Sequence, residues 1–244
     1  MSNTVIENLL SELELKGALE TFKSYTDDPT KLDSTPVTLL LETMLTNELN
    51  QRRYRKQTNL LKVSGIPQNG SPIDIRYDED RDDAFKNKMT ELLTLDFVNK
   101  AQNLTIFGNA GSGKTYIACV LARLNCMQGN STHFCTTRGL IDSLAVVKGS
   151  AAYRTKVKIF AGKSLLVMDD FCLTEYSEVD KEMLFYILDA RYQRKSTLII
   201  SQKTPNLWLE ILGNDSLAES IVERASTFNH TLTLLGQSRR KSID

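Results

Sequence analysis

Three glycines, a lysine and a threonine stand close together in the stretch GNAGSGKT, which covers positions 108–115. Apolar runs precede and follow it, so we expect the stretch to join a buried strand to a helix. Its spacing satisfies the pattern G-x-x-x-x-G-K-[S/T], in which glycines let successive backbone N–H groups point at phosphate oxygens. The following helix adds its positive N-terminal end. An accidental flexible loop is the alternative, but the sequence predicts a loop that binds the phosphates of a nucleotide.

Individual residues of this loop have expected roles. Lys114 would reach the β- and γ-phosphates, and the hydroxyl of Thr115 would complete the coordination shell of Mg²⁺. ATP and Mg²⁺ are therefore the expected cofactors. The residues predicted to contact the nucleotide are Gly108, Asn109, Ala110, Gly111, Ser112, Gly113, Lys114, Thr115 and Tyr116, with Gln202 from a later strand end.

A second candidate block is SLLVMDDF at positions 164–171, where an apolar strand ends in two carboxylates. Beside a phosphate loop, Asp169 would hold Mg²⁺ through its water shell, and Asp170 would orient or activate the attacking water. Two solvated acids in a turn are the alternative interpretation. A small-molecule kinase needs no hydrolytic carboxylate here, so Asp170 favours a protein that hydrolyses ATP.

A third block, STLIISQK, predicts a strand that brings Ser201 and Gln202 to the γ-phosphate. A polar residue there can sense whether that phosphate is present. A plain turn explains the same two residues equally well.

Strands and helices alternate beyond residue 80. Apolar runs predict strands at Leu104–Phe107, Thr132–Cys135, Leu165–Asp169, Thr197–Ser201 and Thr231–Leu235, and periodicity predicts helices at roughly 83–94, 115–127, 138–148, 178–193 and 216–225. This alternation predicts an α/β fold in which helices cover both faces of a parallel sheet.

The first seventy residues read as a small helical module. Helical periodicity covers residues 3–25 with Gly17 as a break, and DDPTKLDSTP reads as a loop. A long helix then follows Thr35, the expected N-cap, and Pro36. The breaker-rich stretch SGIPQNGSP is predicted as a linker. We therefore expect an N-terminal helical module over residues 1–70, which contacts a partner or DNA, and an ATPase domain over residues 71–244.

Composition narrows the class of protein. The chain has 244 residues, of which 41% are hydrophobic and 25% charged, and this balance is typical of a soluble globular protein. We see neither a long apolar run nor a secretory signal, which predicts a cytoplasmic protein without a membrane partner. Four cysteines without CxxC spacing and two histidines argue against a zinc site.

Two basic clusters stand out although the formal net charge is zero. The segment 143–168 has no acidic residue, and Lys148, Arg154, Lys156 and Lys158 could follow DNA phosphates. The cluster Arg52–Lys56 could contact DNA or a partner protein. A solvated helix face is the alternative for both. Arg191 and Arg194 are candidates for contacts between subunits.

Several blocks occur together in one order: GNAGSGKTYIACVLA, LLVMDDF, LFYILDARYQRKSTLIISQ, LAESIVER and LLGQSRRKS. In this order the chain resembles the IstB-type transposition helper ATPases, relatives of the DnaC-type helicase loaders within the AAA+ group. The resemblance covers about residues 95–242 well. It extends more loosely to the first seventy residues through LELKGAL and LNQRRYRKQTNLLK.

The resemblance implies a P-loop AAA+ three-layer sandwich with a five-stranded parallel sheet, in the order 5-1-4-3-2, and without a full helical lid. It implies the loop Gly108–Thr115, a magnesium-binding acid at Asp169, a catalytic acid at Asp170 and a sensor at Ser201 or Gln202. Arg224 falls where the family has an arginine that reaches the ATP of a neighbouring subunit, although RASTFNH departs from the usual pattern after it. Arg239 and Arg240 resemble the family's ending, where an arginine can sense phosphate.

The function implied is an ATP-hydrolysing helper of DNA transposition. Its expected partners are duplex DNA, the transposase of the same element and further copies of itself, with ATP sites between subunits. A helicase loader would share nearly all of these parts and differ in the partner of its N-terminal module. A small-molecule kinase and a DNA-binding protein that does not hydrolyse ATP are two further alternatives.

Overall fold

A computed structural model describes residues 3–77 and 82–234 of the chain. The chain divides into two compact units, Met1–Asn59 and Leu60–Asp244.

The first unit is built from helices. These are α1 (Asn3–Glu12), α2 (Lys16–Thr26), α3 (Pro29–Ser34) and most of α4 (Val37–Val63). Ala18, Phe22 and Met44 form its small buried core. The predicted long helix is therefore present, and it starts one residue after Pro36.

Two details of the first unit differ from the sequence prediction. The break between α1 and α2 lies at residues 13–15, where Glu14 has a φ of 55°, whereas Gly17 belongs to α2. The stretch predicted as a loop contains α3, because the Asp28 side chain accepts hydrogen bonds from the backbone N–H groups of Thr30 and Lys31. An N-cap followed directly by proline is a helix-start signal that the sequence analysis missed.

The second unit is an α/β sandwich. Its helices are α5 (Asp83–Leu93), α6 (Asp96–Asn99), α7 (Lys114–Met127), α8 (Thr137–Ala145), α9 (Ala151–Gly162), α10 (Glu178–Arg191), α11 (Pro205–Leu212) and α12 (Ser216–Ser226). Its strands are β1 (Asn103–Gly108), β2 (Thr132–Thr136), β3 (Leu165–Asp169), β4 (Ser196–Ser201) and β5 (Asn229–Leu234).

All neighbouring strands run parallel in the order β2-β3-β4-β1-β5. This order confirms the predicted order 5-1-4-3-2, read from the other edge. Alternate residues of β3 face opposite sides, because successive side chains of a strand point to opposite faces. Leu165 and Val167 pack in the core with Ile117 of α7, whereas Leu166 and Met168 pack in the core with α10. The result is the three-layer arrangement that the sequence predicted.

The predicted strands match the observed ones to within two residues, except that Leu235 lies outside the described residues. The helices α6, α9 and α11 were not predicted. Helix α11 begins at Pro205, after Thr204 in extended conformation, which is another helix-start signal. All four cysteines of the chain are free thiols.

The stretch predicted as a linker, residues 64–72, lies within the second unit and packs on β2 and α7. The backbone N–H of Phe134 on β2 donates to the carbonyl of Ser64 at 2.7 Å. Gly70 lies so close to α7 that a Cβ there would be 2.8 Å from the Val120 side chain. Ile75 is buried in the core. This segment is therefore a packed part of the second unit, whereas the sequence predicted a linker.

Candidate nucleotide-binding and catalytic site

A cleft of about 750 Å³ opens where β1, β3 and β4 end, inside the second unit. In open parallel sheets, ligands bind at the carboxyl ends of the strands. The residues that line the cleft are Gln68, Asn69, Asp74, Ile75, Arg76, Ala110, Gly111, Gly113, Lys114, Thr115, Tyr116, Asp169, Asp170 and Gln202.

The glycine loop between β1 and α7 depends on backbone conformations that side chains disfavour. Gly111 and Gly113 have φ values of 79° and 94°, and Gly108 has a φ of 150°. A Cβ at Gly108 would lie 2.5 Å from the carbonyl oxygen of Leu234 and 2.8 Å from Oγ of Ser112. These three positions therefore need glycine. The loop is therefore tightly curled between β1 and α7.

Lys114 begins α7 and is buried, with 7% of its surface exposed. Its ammonium group donates hydrogen bonds of 2.8 Å to the carbonyl oxygens of Gly108 and Asn109. The positive charge is thus held inside the loop, at the place where phosphate oxygens would be bound.

Thr115 and Asp169 meet at the floor of the cleft. The Thr115 hydroxyl donates to Oδ2 of Asp169 at 2.9 Å. Asp169 is only 8% exposed, and burial raises the pKa of its carboxyl, although hydrogen bonds from Thr115 and from the backbone of Asp170 oppose this shift. A hydroxyl and a carboxylate are hard oxygen ligands of the kind that Mg²⁺ takes together with phosphate oxygens. The two side chains fit the predicted metal role.

Asp170 follows β3 in a left-handed backbone conformation with a φ of 54°. Its side chain is exposed and lines the cleft next to Asp169. Its backbone N–H donates to Oδ1 of Asp169 at 2.8 Å. The two acids therefore differ in exposure: Asp169 is buried beside Thr115, and Asp170 is exposed to the cleft.

Ser201 and Gln202 differ in what they can reach. The buried hydroxyl of Ser201 donates to the carbonyl of Phe171 at 2.7 Å and accepts from Nε1 of Trp208 at 3.0 Å. It also accepts from the backbone N–H of Lys203. Because these bonds occupy the Ser201 hydroxyl, Gln202, which lines the cleft, is the sensor candidate that the structure leaves available.

Residues 68–76 form one side of the cleft, which the sequence analysis did not predict. The Tyr116 hydroxyl, from α7, accepts from the backbone N–H of Ser71 at 3.2 Å and lies 3.4 Å from Oδ2 of Asp74. Nη1 of Arg123 donates to Oδ1 of Asn69 at 3.2 Å. These contacts hold the segment beside the phosphate loop. The breaker-rich composition that suggested a linker gave no signal of them.

The family comparison agrees with this geometry. A family model described as "IstB-like ATP binding protein" matches residues 8–243. The chain belongs to this family of IstB-like ATP-binding proteins. It is 31% identical over 199 residues to the insertion sequence ATP-binding protein y4pL of Sinorhizobium fredii, covering 82% of this chain and 81% of that protein. It is 28% identical over 235 residues to y4uH of the same organism, covering 96% and 94%.

Solved structures show the same fold at low sequence identity. The crystal structure of DnaI superposes with a TM-score of 0.57 at 22% identity, covering 70% of this chain and 90% of that one. The crystal structure of the DnaC helicase loader gives a TM-score of 0.53 at 18% identity, covering 72% and 99%. Both likenesses support the AAA+ fold assigned from the sequence.

Arg224 of this IstB-like chain lies away from its own cleft. Its Nε donates to Oδ1 of Asp189 at 2.8 Å, and Nη1 donates to the carbonyl of Ser220 at 3.2 Å. The guanidinium also lies 4.7 Å from the ring centre of Phe185 and 5.8 Å from that of Tyr192. Arg224 is therefore not among the residues that line the cleft of its own subunit.

The predicted DNA-contacting residues divide into two pairs. Lys156 donates to the carbonyl of Ser143 on α8 at 2.6 Å, and Lys148 lies 3.7 Å from the carboxylate of Glu182. Lys148 is exposed as well, but Arg154 and Lys158 are the exposed pair that lies four residues apart on α9. Because residues four apart share one helix face, this pair presents two positive charges together.

The members of the N-terminal basic cluster Arg52–Lys56 also differ in their contacts. Nε of Arg52 donates to the buried carboxylate of Glu48 at 2.6 Å, and Arg55 donates to the Gln51 side chain at 2.8 Å. Arg53 and Lys56 are exposed. Only part of this cluster is therefore engaged in contacts within α4.

Arg191 was proposed as an inter-subunit contact, and the structure contradicts this. It is 1% exposed and donates to the carbonyl oxygens of Phe160, Ala161, Lys163 and Ser196 and to the hydroxyl of Thr197. Burial lowers the pKa of the guanidinium to about 9, which leaves it charged at neutral pH. Arg191 holds the end of α9 against β4. Arg194 is exposed, and Arg239 and Arg240 lie outside the described residues.

Within residues 3–77 and 82–234, we find no helix with the length and apolar character that crossing a bilayer requires. In the same part of the chain, no three His, Cys, Asp or Glu side chains cluster as a metal site would need. A P-loop magnesium site does not need such a cluster, because phosphate oxygens and water complete its shell.

Proposed function

We propose that this chain is an ATP-hydrolysing helper of DNA transposition, which assembles as an oligomer on duplex DNA and regulates recruitment of the transposase of its element. The observation that carries the hydrolysis step is the 2.9 Å contact between Thr115 and Asp169 at the phosphate loop, with Asp170 facing the same cleft. The DNA and transposase parts of the proposal rest on family membership and on the basic face of α9.

Different groups of the chain have different roles in ATP hydrolysis. The N–H groups of the glycine loop and the Lys114 ammonium bind the phosphates and offset the charge that spreads over their oxygens in the transition state. Thr115 and Asp169 would hold a bound Mg²⁺, which would supply further positive charge to the phosphate oxygens. Asp170 accepts a hydrogen bond from the attacking water and orients it toward the γ-phosphorus. Gln202 contacts the γ-phosphate and distinguishes ATP from ADP.

Assembly couples hydrolysis to DNA. Arg224 lies outside its own cleft, and we infer that it serves the cleft of a neighbouring subunit. An arginine supplied in this way contributes about 10³–10⁵ in rate in related phosphoryl-transfer enzymes. Isolated subunits would then hydrolyse ATP slowly and assembled ones quickly. ATP would act as a switch, because it binds assembled and free subunits with different affinity.

The partner assignment rests on the relatives. The two matched Sinorhizobium fredii proteins are named as insertion sequence ATP-binding proteins, which favours a transposase over other partners. A helicase loader is the second candidate, and the structural likeness to the DnaC helicase loader favours it. A small-molecule kinase is the weaker alternative, since it gives Asp170 no role.

One set of measurements tests the proposal. ATP hydrolysis is followed with and without duplex DNA for the unaltered protein and for Asp170→Asn, and particle size is measured in parallel. We expect DNA-stimulated hydrolysis, larger particles with ATP and DNA, and ATP binding without turnover in Asp170→Asn. Transfer of phosphate to a small acceptor would support a kinase. Capture of a replicative helicase instead of the transposase of the same element would support a loader.

A further inference from the structure

Thr137 is a fully buried residue at the start of α8, directly after β2. Its hydroxyl does not bond within its own helix. Instead, Oγ1 donates to the backbone carbonyl of Asp169, across the sheet on β3, at 2.9 Å. The N-cap role of α8 belongs to Thr136, whose side chain accepts from the N–H of Gly139. The Thr137 hydroxyl is therefore free for the contact with β3.

The peptide group between Asp169 and Asp170 is held at both ends by side chains. Its carbonyl accepts from Thr137, and its N–H donates to Oδ1 of Asp169 at 2.8 Å. The pairing of β2 with β3 ends at Thr136 and Asp169, and on the other side the backbone N–H of Phe171 donates to the carbonyl of Ile200 on β4 at 3.0 Å. The other carboxylate oxygen of Asp169 accepts from Thr115. The peptide is thus tied to α8 on one side and, through Asp169, to α7 on the other.

This fixed peptide precedes a backbone conformation that needs support. Asp170 has a φ of 54°, in the left-handed region where Cβ crowds the carbonyl of its own residue. Residues other than glycine keep such a conformation where several surrounding contacts enforce it. Such residues cluster at functional sites. Here the left-handed turn leads the chain away from the strand direction and brings Asp170 to the cleft.

We propose that Thr137 is a positioning residue for Asp170. Its hydroxyl fixes the Asp169–Asp170 peptide, and the fixed peptide sets the direction in which the Asp170 carboxylate meets the attacking water. Thr137 itself touches neither nucleotide nor water. The inference rests on the proposed hydrolysis, and it extends the catalytic apparatus to the start of α8.

The alternative is that the hydrogen bond of Thr137 contributes to the stability of the fold and not to catalysis. Thr132 offers a matched control for this alternative. Thr132 starts β2, is 1% exposed and places its hydroxyl 3.4 Å from the carbonyl of Ala122 and 2.9 Å from Nδ2 of Asn125. Its bonds do not involve Asp169 or Asp170. Replacing it by valine removes a buried hydroxyl of the same kind at the other end of the same strand.

The test compares Thr137→Val, Thr137→Ser and Thr132→Val. We expect Thr137→Val to lower kcat about tenfold, the effect of losing one orienting hydrogen bond, while the Kd for ATP stays within about twofold. Thr137→Ser keeps the hydroxyl and should keep the activity, and Thr132→Val should lower only the melting temperature. In the Asp170→Asn background, Thr137→Val should cause no further loss of turnover. Unchanged kcat in Thr137→Val, or a loss of kcat in Thr137→Ser or Thr132→Val as large as that in Thr137→Val, would overturn the proposal.

Crystal structures of the same variants separate this inference from the proposed hydrolysis. In Thr137→Val we expect Asp170 to leave the left-handed region and its carboxylate to move away from the cleft, whereas Thr137→Ser keeps both. If the unaltered protein does not hydrolyse ATP, the proposed function fails, but these structures still decide whether Thr137 positions Asp170. An Asp170 that stays in place overturns the inference. If Thr137→Val does not fold, Thr137→Ala, which removes the hydroxyl without burying a new methyl against the carbonyl, replaces it.

Discussion

Oδ1 of Asp189 accepts a hydrogen bond of 2.8 Å from Nε of Arg224, which joins α10 to the last turn of α12. The Arg224 side chain is 22% exposed, and the Phe185 ring covers part of it. An arginine in this place cannot serve the cleft of its own subunit. It can serve a neighbouring cleft if assembly draws the guanidinium from Asp189 to phosphate.

The first prediction uses this separation of Arg224 from its own cleft. Arg224→Ala and Asp170→Asn should each bind ATP but hydrolyse it at least about 10³-fold more slowly than the unaltered protein. A mixture of the two variants should recover part of the activity, because some interfaces then combine an intact Asp170 with an intact Arg224 from the neighbour. Steady-state phosphate release from each variant and from the mixture measures this.

A control for this experiment is Lys100→Ala, which removes an exposed cation that pairs with Asp96 beside α6. By itself, this variant should hydrolyse ATP at the rate of the unaltered protein. If the mixture of Arg224→Ala and Asp170→Asn stays as inactive as its components, Arg224 does not act across subunits.

A second prediction concerns Lys114. Its ammonium donates to two loop carbonyls and is almost fully buried, and Lys114 is the one basic residue in GNAGSGKT. Lys114→Ala should lower ATP affinity below detection in calorimetric titration, while the fold is kept. Lys100→Ala, which removes a lysine that is 64% exposed beside α6, should bind ATP normally. Undiminished ATP affinity in Lys114→Ala would refute the phosphate loop.

A third prediction follows from the two exposed charges on α9. The double variant Arg154→Ala/Lys158→Ala should bind duplex DNA more weakly and reduce the slope of log K against log salt by about two, since each phosphate contact contributes about 0.9. Lys156→Ala should change the slope less, because that ammonium is bonded to Ser143. Binding is measured by fluorescence anisotropy at several salt concentrations.

The comparison for α9 is a double variant of similar charge elsewhere, Lys86→Ala/Lys100→Ala, whose lysines pair with acidic residues of α5 and α6. It should leave the salt slope unchanged. If both double variants reduce the slope equally, net charge rather than the face of α9 governs DNA binding.

The parts of the site that the sequence predicted best are those encoded by local spacing. The glycine loop and the strand that ends in two acids each occupy one short stretch, and the structure brings Thr115 and Asp169 to within 2.9 Å. The strand order was implied by the family resemblance, and the structure confirms it. Periodicity alone would have left the order open, because it does not tell which strands are neighbours.

The features that the sequence did not reveal depend on contacts between distant residues. Nothing local distinguishes Thr137, whose hydroxyl bonds to a residue 32 positions away. Arg191 was predicted as a contact between subunits, yet four backbone carbonyls and the Thr197 hydroxyl accept its hydrogen bonds inside the fold. The stretch SGIPQNGSP was predicted as a linker because glycine and proline suit both loosely packed chain and tightly packed turns.

A fourth prediction concerns Gly17, where α2 and α4 meet within the first unit. A Cβ there would lie 2.9 Å from Cα of Glu48 and 3.0 Å from backbone atoms of Asn47. Glu48 also accepts from the N–H of Gly17 at 2.7 Å. Gly17→Ala should therefore destabilise this unit by about 1–3 kcal/mol, the usual effect of overpacking. Hydrogen exchange of the α2 and α4 amides measures the loss.

The control for Gly17 is Gly162→Ala at the end of α9, where a Cβ would meet no atom within 4 Å. It should leave the exchange of the α2 and α4 amides unchanged. Unchanged protection of those amides in Gly17→Ala would show that the two helices can separate without loss of stability.

The last prediction concerns pH and His230 on β5. Its Nε2 lies 2.9 Å from Oε1 of Gln102, and its Nδ1 lies 3.0 Å from the Lys88 ammonium, so the neutral ring donates to Gln102 and accepts from Lys88. Burial first, and then the charge of Lys88, lower the pKa of His230 below 6.5, although Glu91 opposes the shift. The unfolded chain therefore takes up a proton at this site more readily than the folded one.

The free energy of unfolding should consequently be highest above pH 6.5, the ordinary pKa of histidine, and fall as the pH decreases below it. His133, whose pKa burial also lowers, contributes in the same direction. Urea denaturation at about pH 7.5 and about pH 5.5 measures the effect, with His230→Gln and His133→Gln as the two variants. Each variant should lose part of the pH dependence, and the double variant should lose more than either. A pH dependence that stays the same in the double variant would assign the acid sensitivity to carboxylates instead.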